Sequence, residues 1–419
     1  MKVLWFSNTP ANASDLLKER NVSGGWLQSL DRELQNKVEL HVCFFYPGHD
    51  KSFKHLNTHY HPISPKNWKV NAIKNIFTNV VTDTEDLHSF LKVIEDVNPD
   101  LIHIHGTENS FSSILPRTHI PVVISIQGNL NYIYHKFLSG FSQKELKFNP
   151  APKSNRINSF FFNKSFYNLW LQFKKMKARE IKYLQSAQHI IGRTDWDRRT
   201  TRILAPKSKY YHSDELLRDI FYNGAEWKKH NRDKIIIHTT TSDSPYKGFE
   251  TICESLFELN KISLSGIEWR IAGLNEESKI VKITKRKLKS RYPANNLALL
   301  GKLDENKLQQ SILDSDIFVT ASHADNSPNS LCEAMMLGIP SIATFAGGTP
   351  SLISENKEGI LFQDGDPWAL AGAILELINT PDKSVLMGKE ARQRAVKRHS
   401  KEKIVFELLD IYKNIVQKK

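Results

Sequence analysis

Short apolar runs recur along this chain, each followed by a stretch of helical spacing, and that alternation leaves few folds open. The first series is KVLWFSN (2–8), VELHVCFF (38–45), DLIHIHG (100–106), PVVISIQG (121–128) and AQHIIGRT (187–194). The second is KIIIHTT (234–240), IEWRIAG (267–273), NLALLGK (296–302), DIFVTAS (316–322) and IPSIATF (339–345). Strands that alternate with helices form parallel sheets covered on both faces. A polar stretch between the two series divides them, and 419 residues suffice for two cores. The expected fold class is therefore α/β, with two Rossmann-like doubly wound domains. Their expected bounds are 1–215 and 233–400, with 216–232 as linker and 401–419 as a final helix. Ile404, Val405, Leu408, Leu409 and Ile411 give that helix an apolar face.

The three cysteines, Cys43, Cys253 and Cys332, are far apart. An odd, scattered set predicts neither a disulfide framework nor a metal site and fits a reducing cytosol. No run of about 18 apolar residues occurs, so no membrane span is expected, and the first residues lack the apolar core of a secretion signal. The net charge of +13 is uneven. Lys136 to Lys182 holds eleven Lys/Arg against two Glu, and Lys383 to Lys403 eight against two. Clustered basic charge predicts an anionic partner.

The most informative stretch is Asp316 to Pro350, DIFVTASHADNSPNSLCEAMMLGIPSIATFAGGTP. It reads as strand, polar loop, helix, strand and glycine turn. A helix beginning near Asn329–Ser330–Leu331 points free N–H groups out of the strand edge, where the helix dipole favours a phosphate. Asp325 on the loop and Glu333 in the helix are poor phosphate ligands but good acceptors for hydroxyls, so the ligand suggested is a sugar nucleotide. Ser330-x-x-Glu333 can alternatively be an ordinary capping box. With Asp325 eight residues before Glu333 and Gly347–Gly348 after the next strand, the stretch resembles glycosyltransferase family 4, whose hallmark is Glu-x(7)-Glu followed by a Gly-Gly turn.

That resemblance implies the glycosyltransferase B fold, two domains facing across a cleft with the last helix crossing back to the first. It implies a retaining transferase that moves a sugar from a UDP- or GDP-type nucleotide sugar to a hydroxyl of a glycan or lipid-linked saccharide in cell-surface polysaccharide synthesis. The donor site would comprise Gly24, Gly25, Lys247, Asn329, Ser330, Leu331, Glu333, Gly347 and Gly348, with Asp325 and Lys247 catalytic. Lys247 precedes Gly248 at a strand-to-helix turn and can reach a diphosphate as a point charge. Gly301–Leu303 would lie near the base. Polar residues end the first-domain strands, where ligands bind in open α/β sheets, and His105, Glu108, Gln127 and Asn129 outline an acceptor pocket. No other cofactor is expected, and no Asp-x-Asp motif suggests magnesium.

Three positions depart from the family pattern. Asp325 replaces a glutamate. Gln127 stands where members often carry a histidine, so a general base there is excluded. Thr241 stands where an arginine is usual, leaving Arg193 and Arg270 as candidate substitutes. Residues 150–183 form a basic, aromatic insertion, including Phe160–Phe162 and Trp170. Such a segment suits either peripheral contact with an anionic membrane, at the inner face of a cytoplasmic enzyme's compartment, or packing on the domain core. No nucleic-acid motif accompanies the charge. The other classes consistent with the chain are a nucleotide-sugar epimerase on the same fold and a non-catalytic membrane-associated scaffold.

Overall fold

The computed structural model describes residues 1–17, 25–47, 50–65, 86–149, 165–262 and 266–417. Gly24 and residues 150–164, with the three consecutive phenylalanines, lie outside the described residues. The chain forms two compact units. One comprises Met1–Asn131, Gln172–Arg218 and His399–Lys419, and the other Tyr132–Leu171 and Asp219–Arg398. The division falls at 218/219, and residues 132–171 group with the second sheet rather than the first.

The strands of the first unit are β1 (Lys2–Ser7), β2 (Glu39–Phe45), β3 (Phe53–His55), β4 (Thr58–Ile63), β5 (Leu101–His105), β6 (Val122–Ser125), β7 (His189–Gly192) and β8 (Lys209–His212). Their order is β3-β4-β2-β1-β5-β6-β7-β8, all parallel except the β3–β4 hairpin. Helices α1 (Ser14–Leu17), α2 (Gly25–Leu34) and α3 (Leu87–Val97) belong to this unit. Beyond them, α4 (Leu130–Lys136) and α6 (Phe166–Ser186) each span a unit boundary, α5 (Gln143–Lys147) lies in the second unit, and α7 (Asp195–Leu204) in the first. Because both faces of a parallel sheet are covered, β1 is buried from Val3 to Ser7.

Trp5 of β1 is fully buried, and its indole N–H donates to the hydroxyl of Tyr412 at 3.2 Å. Tyr412 belongs to the final helix α14 (Lys401–Val416), which packs Ile404, Val405, Leu408 and Ile411 into the first unit's core.

The second sheet contains β9 (Ile235–Thr240), β10 (Ile267–Ala272), β11 (Leu297–Gly301), β12 (Ile317–Thr320), β13 (Ser341–Thr344) and β14 (Ile360–Phe362). Its order is β11-β10-β9-β12-β13-β14, parallel throughout. Between the strands run α8 (Phe249–Lys261), α9 (Lys279–Leu288), α10 (Glu305–Leu313) and α11 (Asn329–Leu337), followed by α12 (Pro367–Asn379) and α13 (Pro381–Arg398). Strand order reverses between β9 and β12, and that switch point is where an open sheet of this kind opens a crevice for a ligand. In the first sheet the corresponding reversal falls between β1 and β5.

No helix among the described residues is long and apolar enough to cross a membrane. On α6 the aromatic side turns inward: Trp170 stacks on Tyr134 with ring centroids 5.3 Å apart, and Phe166 is buried. Lys174 and Lys182 lie on its exposed side.

Candidate functional site

The turn after β9 and the loop after β12 meet at the second unit's switch point. Ser244–Gly248 makes the turn into α8, and Gly248 adopts φ +71°. A Cβ there would stand 1.8 Å from the carbonyl oxygen of Ala321, so only glycine lets the two segments approach this closely. One residue pair further, the His323 N–H donates to Tyr246 O at 2.9 Å. This zipper places Lys247 Nζ 2.7 Å from Asp325 Oδ2. Burial opposes the lysine charge, but the Asp325 carboxylate overrides it and holds the Lys247 pKa above its ordinary value.

Behind Asp325 lies the glycine turn. Gly347, at φ +54°, would drive a Cβ to 1.9 Å from the Asp325 carbonyl, and the Gly348 N–H donates to that same oxygen at 3.0 Å. Gly347 and Gly348 thus act on the loop backbone and fix where the Asp325 side chain emerges.

α11 begins at Asn329 with Pro328 in the cap position and no side-chain cap. The capping-box alternative for Ser330 and Glu333 is therefore not what forms. The N–H groups of Asn329 and Ser330 have no protein acceptor among the described residues, whereas Leu331 N–H donates to Pro328 O at 3.0 Å. Two of the three expected backbone donors are thus open to an anion. Glu333 is buried in the first turns of the same helix.

Four further groups were not singled out from the sequence. His323, 1% exposed, is clamped between Glu250 Oε1 and Asp364 Oδ1, each 2.6 Å from a ring nitrogen. Lys136 Nζ binds the other oxygen of Asp364 at 2.7 Å. Burial disfavours the imidazolium, but the two carboxylates outweigh it and raise the His323 pKa to about 9. His323 is accordingly charged at neutral pH. Glu250 and Asp364 are each held below their ordinary values, against the opposing effect of burial, chiefly by His323. The available signal was position: His323 lies two residues before Asp325, and Glu250 two after Gly248.

In the first unit, Asn8 after β1 bridges the switch point. Its side chain donates to Glu108 Oε2 at 3.0 Å and accepts from Asn109 at 2.6 Å. The Gly128 N–H donates to the other Glu108 oxygen at 3.3 Å. Burial raises the Glu108 pKa. Buried Glu180, from α6, accepts from Thr107, from the Leu130 and Asn131 N–H groups and from the Asn131 side chain. It thereby satisfies the start of α4 and fixes Asn129 just ahead of it, within a segment whose basic character hid it from view.

His105 is buried against Trp5 and Trp26, neither ring nitrogen has a hydrogen-bond partner among the described residues, and burial depresses its pKa to about 3. It is a neutral side chain rather than a base. Gln127 accepts from Arg193 at 3.1 Å, and Arg193 also pairs with buried Glu215. Arg193 is thereby committed within the first unit, and Arg270 pairs with Glu268 at 2.6 Å on β10. Gly25 opens α2 against the Arg218 side chain. Among the described residues, no group of three or more His, Cys, Asp or Glu is placed to hold a metal ion.

Residues 225–394 match the family described as Glycosyl transferases group 1. The chain is 28% identical over 130 residues to N-acetyl-alpha-D-glucosaminyl L-malate synthase of Bacillus anthracis, covering 31% of this chain and 34% of that one. It is 26% identical over 172 residues to an uncharacterized glycosyltransferase of Methanocaldococcus jannaschii, covering 41% and 43%. The chain thus spans less than half the length of these curated relatives. Over the whole chain the fold is that of glycosyltransferase structures. Sucrose-phosphate synthase from Thermosynechococcus elongatus superposes with TM-score 0.71 at 12% identity, covering 100% of this chain and 99% of that one. Anabaena HepE in complex with UDP-glucose gives 0.63 at 15% identity, covering 99% and 100%.

Proposed function

With residues 225–394 forming a glycosyl transferases group 1 domain, we propose that the chain is a retaining glycosyltransferase. It takes a sugar from a nucleoside-diphosphate sugar of the UDP or GDP type and passes it to a hydroxyl of a glycan or lipid-linked saccharide in cell-surface polysaccharide synthesis. The observation that carries this reading is the convergence of Lys247, Asp325 and the uncapped α11 N-terminus at one switch point.

In this reading the diphosphate lies against the Asn329 and Ser330 N–H groups and Lys247. Asp325 accepts from sugar hydroxyls, and Glu333 from the ribose. As the glycosidic bond breaks, negative charge grows on the departing phosphate, and these fixed donors stabilise it without reorganising. His105 and Gln127 carry no available base, so the acceptor proton leaves with the phosphate oxygen. Asn8, Glu108 and Asn129 are the acceptor-side candidates. Basic charge along 136–182, with Lys174 and Lys182 on the exposed side of α6, supports contact with an anionic membrane at its cytoplasmic face.

Thermal stabilisation by a panel of nucleoside diphosphates and their sugars tests the reading. One diphosphate should raise the melting temperature, and more so with one sugar attached. No shift with any member of the panel would overturn it.

A further inference from the structure

His323 touches four segments around the site in the second unit. Its N–H reaches the Lys247 turn at Tyr246 O, and its carbonyl accepts from the Tyr132 hydroxyl at 3.3 Å. Its ring joins the first turn of α8, through Glu250, to the segment after β14, through Asp364. Asp364 in turn anchors Lys136 of α4. Two residues beyond His323, Asp325 meets Lys247. A hydrogen-bonded link between charged partners in a buried setting has strongly preferred geometry, and it fixes the backbone that carries it.

We propose that His323 is a positioning residue of the donor site: clamped between Glu250 and Asp364, it holds the 321–325 loop in register with the Ser244–Gly248 turn, and so sets the Lys247–Asp325 pair against the diphosphate. The inference rests on the donor reading above. The charged groups facing the ring are Glu250 from α8, with Lys287 of α9 acting on it, and Asp364, with Lys136 acting on it.

The same arrangement separates positioning from simple stability. Were His323 only structural, a folded variant would bind nucleotide normally, and its effect would add to that of Lys247. If it acts through the Lys247–Asp325 pair, the two effects overlap. The experiment is isothermal titration of the full chain with UDP and with GDP, for wild type, His323→Gln, His323→Lys, Lys247→Ala and the His323→Gln/Lys247→Ala double variant. Circular dichroism and a cooperative melt establish folding for each. The expected result for His323→Gln is a loss of about tenfold or more in affinity for the bound nucleotide. His323→Lys, which keeps a charge between the carboxylates, should recover most of it. Lys247→Ala should cost less in the Gln background than in wild type.

If His323→Gln does not fold, Glu250→Gln/His323→Gln removes the carboxylate left unpaired, and the same loss is expected there. A folded variant of either kind that binds like wild type overturns the inference, as does strict additivity with Lys247→Ala. Failure of wild type to bind either nucleotide would instead overturn the donor reading, and this inference with it.

Discussion

Lys247 Nζ stands 2.7 Å from Asp325 Oδ2, so the charge offered by the turn after β9 is neutralised in place by the loop after β12. The pair makes opposite demands on a diphosphate: the lysine attracts it and the carboxylate repels it. Lys247→Ala should lower turnover roughly 10²-fold, the scale of losing one preorganised donor to a developing anion. Asp325→Asn should bind the free nucleoside diphosphate several-fold more tightly while losing sugar transfer. Titration calorimetry alongside a transfer assay checks both arms. Weaker diphosphate binding in Asp325→Asn would mean that the carboxylate serves to hold the lysine in place rather than to receive the sugar.

Gly248 is the tightest contact in the site. Replacement by alanine combines a φ of +71° with a Cβ directed at the Ala321 carbonyl. The strain alone costs about 1–3 kcal/mol, and the clash forces the two segments apart. Gly248→Ala should therefore lower the melting temperature and also weaken nucleotide binding. Gly338→Ala, also at positive φ but with no atom nearer than 3.5 Å to the added methyl and at the far end of α11 from Asn329, should show the first effect without the second.

His323 and the buried histidines of the first unit should respond to pH in opposite senses. The His323 pKa is raised to about 9, so its stabilising contribution is complete below the ordinary histidine value and is lost as pH climbs towards 9. In the first unit the signs reverse. Burial lowers His103, His41, His61 (to about 4) and His105 (to about 3), so the unfolded chain takes up protons there that the folded unit refuses. The contribution of these histidines to that unit's stability should fall as pH drops below about 6.5. His238 brings some of the same sensitivity to the second unit. Hydrogen exchange resolved by peptide should show β1, β5 and β6 losing protection first between pH 7 and 5. The segments around 250, 323 and 364 should lose protection first between pH 7 and 9, and His323→Gln should abolish that second trend.

Both alternating series were legible because their strands are aliphatic enough to stand out: each of the ten runs contains a strand. Those that were not read, β3, β4, β8 and β14, are short or carry histidine, proline and lysine in place of aliphatic residues. The spacing of Asp325 and Glu333, and Lys247 before Gly248, could be seen in advance because each belongs to one local motif. The His323 clamp could not. Its partners are 73 and 41 residues away, one in a helix's first turn and one after the unread β14. Each is an unremarkable polar residue until the sheet brings the strand ends together. Arg193 went the other way: a cation at a strand end suggested a phosphate ligand, but buried Glu215 and Gln127 had already claimed it.

The final helix is tied to the first unit by a buried polar chain. The Tyr412 hydroxyl accepts from the Trp5 indole at 3.2 Å and lies 2.6 Å from His103 Nδ1, while His103 Nε2 lies 2.6 Å from Ser125 Oγ. Burial raises the Tyr412 pKa, so the group remains a neutral hydroxyl able to donate and accept at once. Tyr412→Phe keeps the ring and its packing but strands the Trp5 N–H and one His103 nitrogen in the core. Such a loss costs about 1–3 kcal/mol. Trp5→Phe should cost as much or more, because it adds a cavity to the lost bond. The double variant removes both partners together and should cost less than the sum of the single changes. Melting temperatures of the three variants provide the check. Simple additivity would show that the Trp5–Tyr412 link contributes nothing to holding the helix on the sheet.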